Sequence, residues 1–321
     1  MVVRKCLPFL LVMLWPSAVS AQQTYPTKAI RFVVPFAPGG GTDLIGRVVA
    51  QYLHDALGQS VVVDNRGGAG STLGSDIVAK APADGYTLLL GNISLAFNAE
   101  LYPKLPYNAI RDLAGVSMVA VQPNILVIHP SLPARNFREF VEAARARPGK
   151  YSYGSAGLGS GTHLAAELLK MLAKFDVLHV PYKGTGPALN DLIGGQVQLM
   201  VSTFASALPH VKSGRLRALG VTTTKRSSAA PEVPTLMEAG VPGFDYSTWY
   251  AIFVPAGTPA GIVDKLNRTS RQVLGREDVK ARLDAQGVEA STSTPAELAA
   301  YLRSETLKWG KVVRATGARG E

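Results

Sequence analysis

The sequence predicts an α/β protein built in two lobes, and three observations carry that reading. Short β-branched runs alternate with longer segments of helical periodicity, and glycine-rich turns join one to the next. The chain, at 321 residues, is also longer than a typical single α/β domain. Strand–helix–strand alternation of this kind makes mixed or mostly parallel sheets flanked by helices.

The strands are read from aliphatic and β-branched runs. Ile30–Val34, Ser60–Val63, Tyr86–Leu90 and Ile125–Ile128 come first, followed by Lys150–Tyr153, Val177–Val180, Val197–Val201, Leu216–Thr222 and Tyr250–Val254. Between them, Leu44, Val48, Tyr52 and Leu53 share one helical face, and Gly58 ends that segment. Leu164, Leu168 and Leu172 form a second stripe at i, i+4, i+8, and the pattern from Pro259 to about Ala318 is mainly helical. Two places break the alternation: Gln122-Pro123-Asn124, and the turn-rich stretch Ala239–Phe244 with Gly240, Pro242 and Gly243. Read as crossings, they give a discontinuous first lobe, 22–122 plus 240–321, a second lobe, 123–239, and a two-strand hinge.

Residues 1–21 do not belong to the fold. Arg4 and Lys5 form a positive start, Leu7–Trp15 a short apolar stretch, and Val19-Ser20-Ala21 a small-residue cleavage site. An exported protein beginning near Gln22 is expected, because spanning a membrane takes about 20 apolar residues. The single cysteine, Cys6, lies inside this leader, so the mature chain depends on its core alone. Cys6 also precedes the apolar run, the wrong order for a lipid-anchored protein. The net charge of +10 less Arg4 and Lys5 is +8, spread without a dense basic run. With export, that pattern argues against nucleic acid and fits an anionic ligand or plain solubility.

Three strand-to-helix loops share a chemical style. Pro35-Phe36-Ala37-Pro38-Gly39-Gly40-Gly41-Thr42-Asp43 lets backbone approach a ligand closely, with Thr42 or Asp43 as the helix cap. First-turn amides have no partner within a helix and sit at its positive end, so they favour a carboxylate or phosphate. Tyr153–His163, with Ser155, Ser160 and Thr162, makes a second such nest ahead of a helix starting near Thr162. Val180–Leu189 makes a third, in which Lys183 adds a charge and Pro187 enters the next helix. In open α/β sheets, loops at the carboxyl ends of strands form the ligand crevice.

Signs of catalysis are sparse. Gly68–Gly74 departs from a dinucleotide fingerprint by one residue in its last gap, and no Gly-x-Ser-x-Gly or P-loop occurs. The five histidines, His54, His129, His163, His179 and His210, never reach metal-ligand spacing, so neither a metal nor a cofactor is expected. A secreted serine hydrolase would need Ser155 or Ser160 with His163, and the Ser160–His163 spacing is poor for a triad.

Taken in order, these segments resemble the Bug-family periplasmic solute receptors of tripartite tricarboxylate transporters. The resemblance runs along the whole mature chain. It includes Tyr25-Pro26, Pro35–Asp43, Val63-Asp64-Asn65-Arg66 with Gly68-Ala69-Gly70, and Ala83–Leu88. It continues through Gly154–Gly157, His163-Leu164-Ala165, His179–Gly184, Ala207–His210 and Val254–Pro259. The family implies a two-lobed, Venus-flytrap-like periplasmic binding protein, without catalysis or cofactor, monomeric, handing a small carboxylate to membrane transporter subunits. A sensing role with a membrane signalling partner is the alternative.

Carried over by position, the family points to Pro38, Gly39, Gly40, Gly41, Thr42 and Asp43 in the first lobe, Asp43 as cap and loop organiser. In the second lobe it points to Ser155, Gly157, Ser160, His163, Lys183 and Gly184. The family commonly has an acid-led pair facing the cleft after Met200, where this chain has Ser202 and Thr203. That change removes the acidic partner an amino-acid ligand's ammonium needs. Gly67 stands where the family often has proline, a local change of stiffness.

Overall fold

The computed structural model describes residue 2 and residues 25–318, so the rest of the expected leader at 1–21, with Cys6, and Gln22 lie outside the described residues. The chain begins with β1 (Ile30–Val34), α1 (Gly41–Leu57), β2 (Val61–Asn65), α2 (Thr72–Ala79), β3 (Thr87–Asn92), α3 (Ser94–Leu101) and α4 (Ala109–Asp112). It continues with β4 (Leu113–Ile128), α5 (Phe137–Ala146), β5 (Ser152–Ser155), α6 (Gly161–Ala173), β6 (Leu178–Pro181) and α7 (Thr185–Ile193). Then come β7 (Leu199–Thr203), α8 (Phe204–Lys212), β8 (Arg217–Val221), β9 (Ser247–Pro255), α9 (Ala260–Leu274), α10 (Glu277–Asp284), β10 (Glu289–Ala290) and α11 (Pro295–Thr316).

The strands form one mixed sheet in the order β2-β1-β3-β9-β4-β7-β5-β6, with β8 and β10 also paired to β4. Its outer pairs, β1 with β2 and β3, and β5 with β6 and β7, are parallel, as expected for strands linked through helices. Strand β4 joins the halves. Up to Pro123, which faces Ser247, it runs antiparallel to β9; from Asn124, which faces Thr203, it pairs with β7. The break at Gln122-Pro123-Asn124 is therefore where a continuous strand exchanges partners. Its amino-terminal portion, Leu113–Val121, escapes a hydrophobic reading because Gly115 and Ser117 interrupt the apolar pattern and the register slips there.

Two helical faces also differ from expectation. In α1 the buried positions are Ile45, Val48, Val49 and Leu53, while Leu44 and Tyr52 are half-buried, a rotation of about one residue. In α6, Leu164 and Leu168 are buried but Leu172 is 38% exposed, because the last turn runs past the sheet it packs on. Helix ends follow local chemistry: Gly58 closes α1 with φ 66°, and Thr294 with Glu297 forms a capping box ahead of α11. Helix α11 packs on α3 and reaches α6, so one apolar core is continuous across both halves. Within it, buried Glu305 accepts hydrogen bonds from the indoles of Trp249 and Trp309. None of the described helices is long and apolar enough to cross a membrane.

Candidate functional site

Each half-sheet presents helix starts toward the gap between the halves. Thr42 of α1, Ser160, Gly161 and Thr162 at the start of α6, Thr185 of α7 and Thr203 before α8 line one small cleft. Its floor is completed by Asn92 at the end of β3 and by Thr248 and Tyr250 of β9. The space is only about 20 Å³, room for about one water and far below the roughly 300–1,000 Å³ of sites for drug-sized ligands. No Asp, Glu, Lys, Arg or His is among the lining residues, although hydroxyls and amides abound. A larger groove holds Lys225, Arg226, Asp284 and Glu289, with no helix start in its wall.

The loop ahead of α1 is organised without a side-chain cap. Gly40 occupies the cap position in extended backbone, φ −90° and ψ 167°, so the cap falls neither on Thr42 nor on Asp43. The helix starts earlier than the sequence suggests, because three glycines carry the chain straight into its first turn. Asp43 instead reaches back to accept from the Gly39 amide at 3.0 Å, and it is held by Arg47 and Asn65. Burial alone would raise its pKa, but these bonds prevail and hold the carboxyl below its ordinary range. Among the described residues, the amides of Gly40, Gly41 and Thr42 have no acceptor.

The loop ahead of α6 satisfies more of itself. Ser160 caps the helix by accepting from the His163 amide, and Thr162 Oγ1 accepts from the Ala156 amide at 2.8 Å. His163 Nδ1 accepts from the Gly159 amide, and its ring stacks on His179, centroids 4.4 Å apart. Ser155 Oγ lies 2.7 Å from His179 Nε2 and accepts from the Gly157 amide. Burial, with Lys170 nearby, lowers His163 to about 4; burial, then His163, lowers His179 to about 3. Ser155 thus pairs with His179, whereas His163 is engaged by the backbone, and neither ring is among the cleft-lining residues.

Some of the remaining expected residues serve contact between the halves, and others only organise their own half. Lys183 has an exposed side chain, while its carbonyl accepts from the Ala37 amide at 3.0 Å across the gap. Gly184 caps α7, and a Cβ on Gly186 would lie 2.6 Å from the Pro38 carbonyl. Gly157 has φ 121°, a conformation that suits glycine, and faces the Tyr182 carbonyl. Ser202 is buried and donates to the Thr203 carbonyl, while Thr203 itself reaches the cleft. Tyr102 donates to the Leu158 carbonyl at 2.6 Å, a further link across the opening. Sequence reasoning does not single out Asn92, Thr185, Thr248 or Tyr250. Only Asn92 and Thr185 carry a local signal, each ending a strand or opening a helix.

Residues 45–318 match the model of the tripartite tricarboxylate transporter family receptor. This chain belongs to that family. The periplasmic binding protein BugD superposes with a TM-score of 0.90 at 33% identity, over 92% of this chain and 100% of BugD. R. palustris Rpa4515, solved with adipate, gives 0.89 at 36% identity, over 92% of this chain and 99% of that one. MatC (Rpa3494) from Rhodopseudomonas palustris, solved with bound malate, gives 0.86 at 34%, over 90% and 100%. The receptor fold is thus an α/β solute-binding fold, and the Bug-type resemblance of the sequence holds along the chain.

Proposed function

We propose that this protein captures a small dicarboxylate in the periplasm and delivers it to the membrane subunits of a tripartite tricarboxylate transporter. The observation that carries this reading is a small, uncharged cleft into which the starts of α1, α6, α7 and α8 converge. Each helix start offers unpaired amides and about half a positive charge, which suits a doubly negative ligand without a cationic side chain. A single exposed terminus contributes only about 0.3–1 kcal/mol, whereas micromolar affinity needs about −8 kcal/mol. Several termini acting together, with water excluded, supply what one cannot. The dicarboxylates held by the relatives Rpa4515 and MatC support the ligand class.

The lobes are 22–122 plus 240–321 and 123–239, and the partner exchange of β4 at Pro123–Asn124 supports that division. In this reading Gly40, Gly41, Thr42, Ser160 and Thr203 meet the ligand. Pro38, Gly39, Asp43, Ser155, Gly157, His163, Lys183, Gly184 and Ser202 shape the loops that hold them. The protein is exported after cleavage near Ala21, works as a monomer and performs no chemistry on its ligand. Calorimetry with malate, succinate and adipate tests this, with expected dissociation constants in the micromolar range or below and no turnover. Absence of heat with all three, together with an unchanged melting temperature, overturns it.

A further inference from the structure

Gln122 and Tyr250 stand 128 residues apart in sequence and meet under the cleft floor. Gln122 is 1% exposed and lies in β4 just before that strand changes partners. Its Oε1 accepts from the Ala205 amide at 3.2 Å, in the first turn of α8. A backbone amide can only donate, so the side-chain atom facing Ala205 must be the oxygen. The nitrogen, Nε2, is then the atom that faces Tyr250 Oη, at 2.5 Å. An amide nitrogen can only donate as well, so the phenolic oxygen accepts, and its own hydrogen must leave in another direction.

Two directions are open to that hydrogen: the cleft itself, which Tyr250 lines, and the Thr42 hydroxyl beside the phenol. Both end in the same way. If Tyr250 donates to Thr42, the Thr42 hydroxyl is left to donate into the cleft that it also lines. The chain of donors thus runs from Gln122 to Tyr250, through Thr42 or directly, toward whatever sits above the floor. Burial keeps the phenol protonated.

We propose that Tyr250 is a specificity-determining donor that recognises an anionic oxygen of the ligand, and that Gln122 is the positioning residue that sets its direction. The assignment rests on the dicarboxylate reading above and adds to it a polarity. The cleft floor accepts a carboxylate or other hydrogen-bond acceptor there and disfavours an ammonium, which can only donate. The same Gln122 contact ties this donor to α8 in the other half of the sheet. The phenol is therefore aimed only while β4 and α8 hold their present relation.

Substitutions separate direction from mere support. Tyr250→Phe removes the donor and keeps the ring; affinity for malate should fall about 10- to 100-fold, as for a lost charge-assisted hydrogen bond. Gln122→Glu keeps the acceptor for Ala205 but replaces the donor with a second acceptor, so Tyr250 turns its hydrogen away from the cleft. Malate affinity should fall at least as far at pH 8 and recover as pH is lowered and the new carboxyl gains a proton. Gln122→Met removes the donor without adding an acceptor or a charge, and should lose less than Gln122→Glu. In the Tyr250→Phe background, adding Gln122→Glu should cost less than it does in the wild type. Melting temperatures without ligand check that each variant folds, and Gln122→Met serves if Gln122→Glu does not. Equal malate affinity in wild type, Tyr250→Phe and Gln122→Met overturns the assignment and leaves the dicarboxylate reading standing. So does a Gln122→Glu loss that neither pH nor the Tyr250→Phe background alters. A wild type that binds none of malate, succinate and adipate overturns both.

Discussion

The loop ahead of α1 and the loop ahead of α6 share one recipe, strand, then glycines, then helix, yet they treat their first-turn amides differently. At α1 the cap residue is Gly40, which has no side chain, and the nearby carboxylate of Asp43 turns back to Gly39. At α6 the cap is Ser160, whose hydroxyl takes the His163 amide, while the histidine ring takes the Gly159 amide. The first loop leaves its donors open and the second occupies several of its own. A glycine-rich helix start therefore shows where an anion site can be, and the residue at the cap decides how much of it stays free. Acid, added bulk and an exchanged cap each act on one loop more than the other.

Acid gives the largest expected effect, and it falls on the second loop. An unfolded imidazole takes its proton near 6.5, whereas His163 and His179 in the fold are lowered to about 4 and about 3. The neutral pair's contribution is therefore complete above pH 6.5 and declines as pH falls toward 4. The slope approaches ~1.4 kcal/mol per pH unit for each ring. The lowered carboxyl of Asp43 acts in the same direction but at lower pH. Its contribution persists through this window and is lost only as pH drops through its depressed folded value. Melting temperature measured from pH 7 to 4 should fall, and His179→Phe, which keeps a ring in the stack, should reduce that slope by about half. A His179→Phe profile identical to wild type would break the contrast between the loops.

Added bulk comes next. A Cβ on Gly41 would lie 2.7 Å from Thr203 Oγ1 and 2.9 Å from its Cβ, atoms of the opposite half, while Gly41 itself has no left-handed φ. Gly41→Ala should leave the fold intact and hinder the meeting of the halves, lowering dicarboxylate affinity about 100-fold, or ~2.7 kcal/mol. Gly159 is different, with φ 74° and a Cβ that would meet Leu101 and Tyr102. Gly159→Ala should lower the melting temperature as well as the affinity, because the left-handed φ strains the loop itself in addition to the contact with Leu101 and Tyr102 across the opening. If both substitutions changed melting and affinity in the same proportion, the two loops would not be doing different work.

Much of this contrast is visible in the residues alone, and the part that is not has a physical reason. Gly39-Gly40-Gly41 and Gly157-Leu158-Gly159-Ser160 announce themselves by composition, and the strands beneath them by β-branched runs. The cap at Gly40 escapes a sequence reading because Thr42 and Asp43 are better cap formers, and propensity yields here to a chain that starts its helix early. The floor cannot be read at all. Gln122 and Tyr250 come from strands far apart in sequence and become neighbours only through the antiparallel register of β4 on β9. Pro123, which reads as a strand breaker, in fact sits in the strand that joins both halves.

Exchanging the caps gives the smallest effects and the sharpest comparison. Ser160→Ala removes the acceptor for the His163 amide and should cost about 1 kcal/mol of stability, read from the denaturation midpoint. Gly40→Ser is the reciprocal change. Its extended φ and ψ already suit a serine cap, although the new Cβ would approach the Thr185 Cβ at 3.2 Å. A serine there should add a few tenths of a kcal/mol to the stability of α1 while taking up one of the first-turn amides that now lack an acceptor. The fold should become slightly more stable and the dicarboxylate should bind several-fold more weakly, a pairing that ordinary surface substitutions do not produce. A Gly40→Ser protein that bound malate as well as wild type would mean that the open amides of α1 are not what the ligand meets.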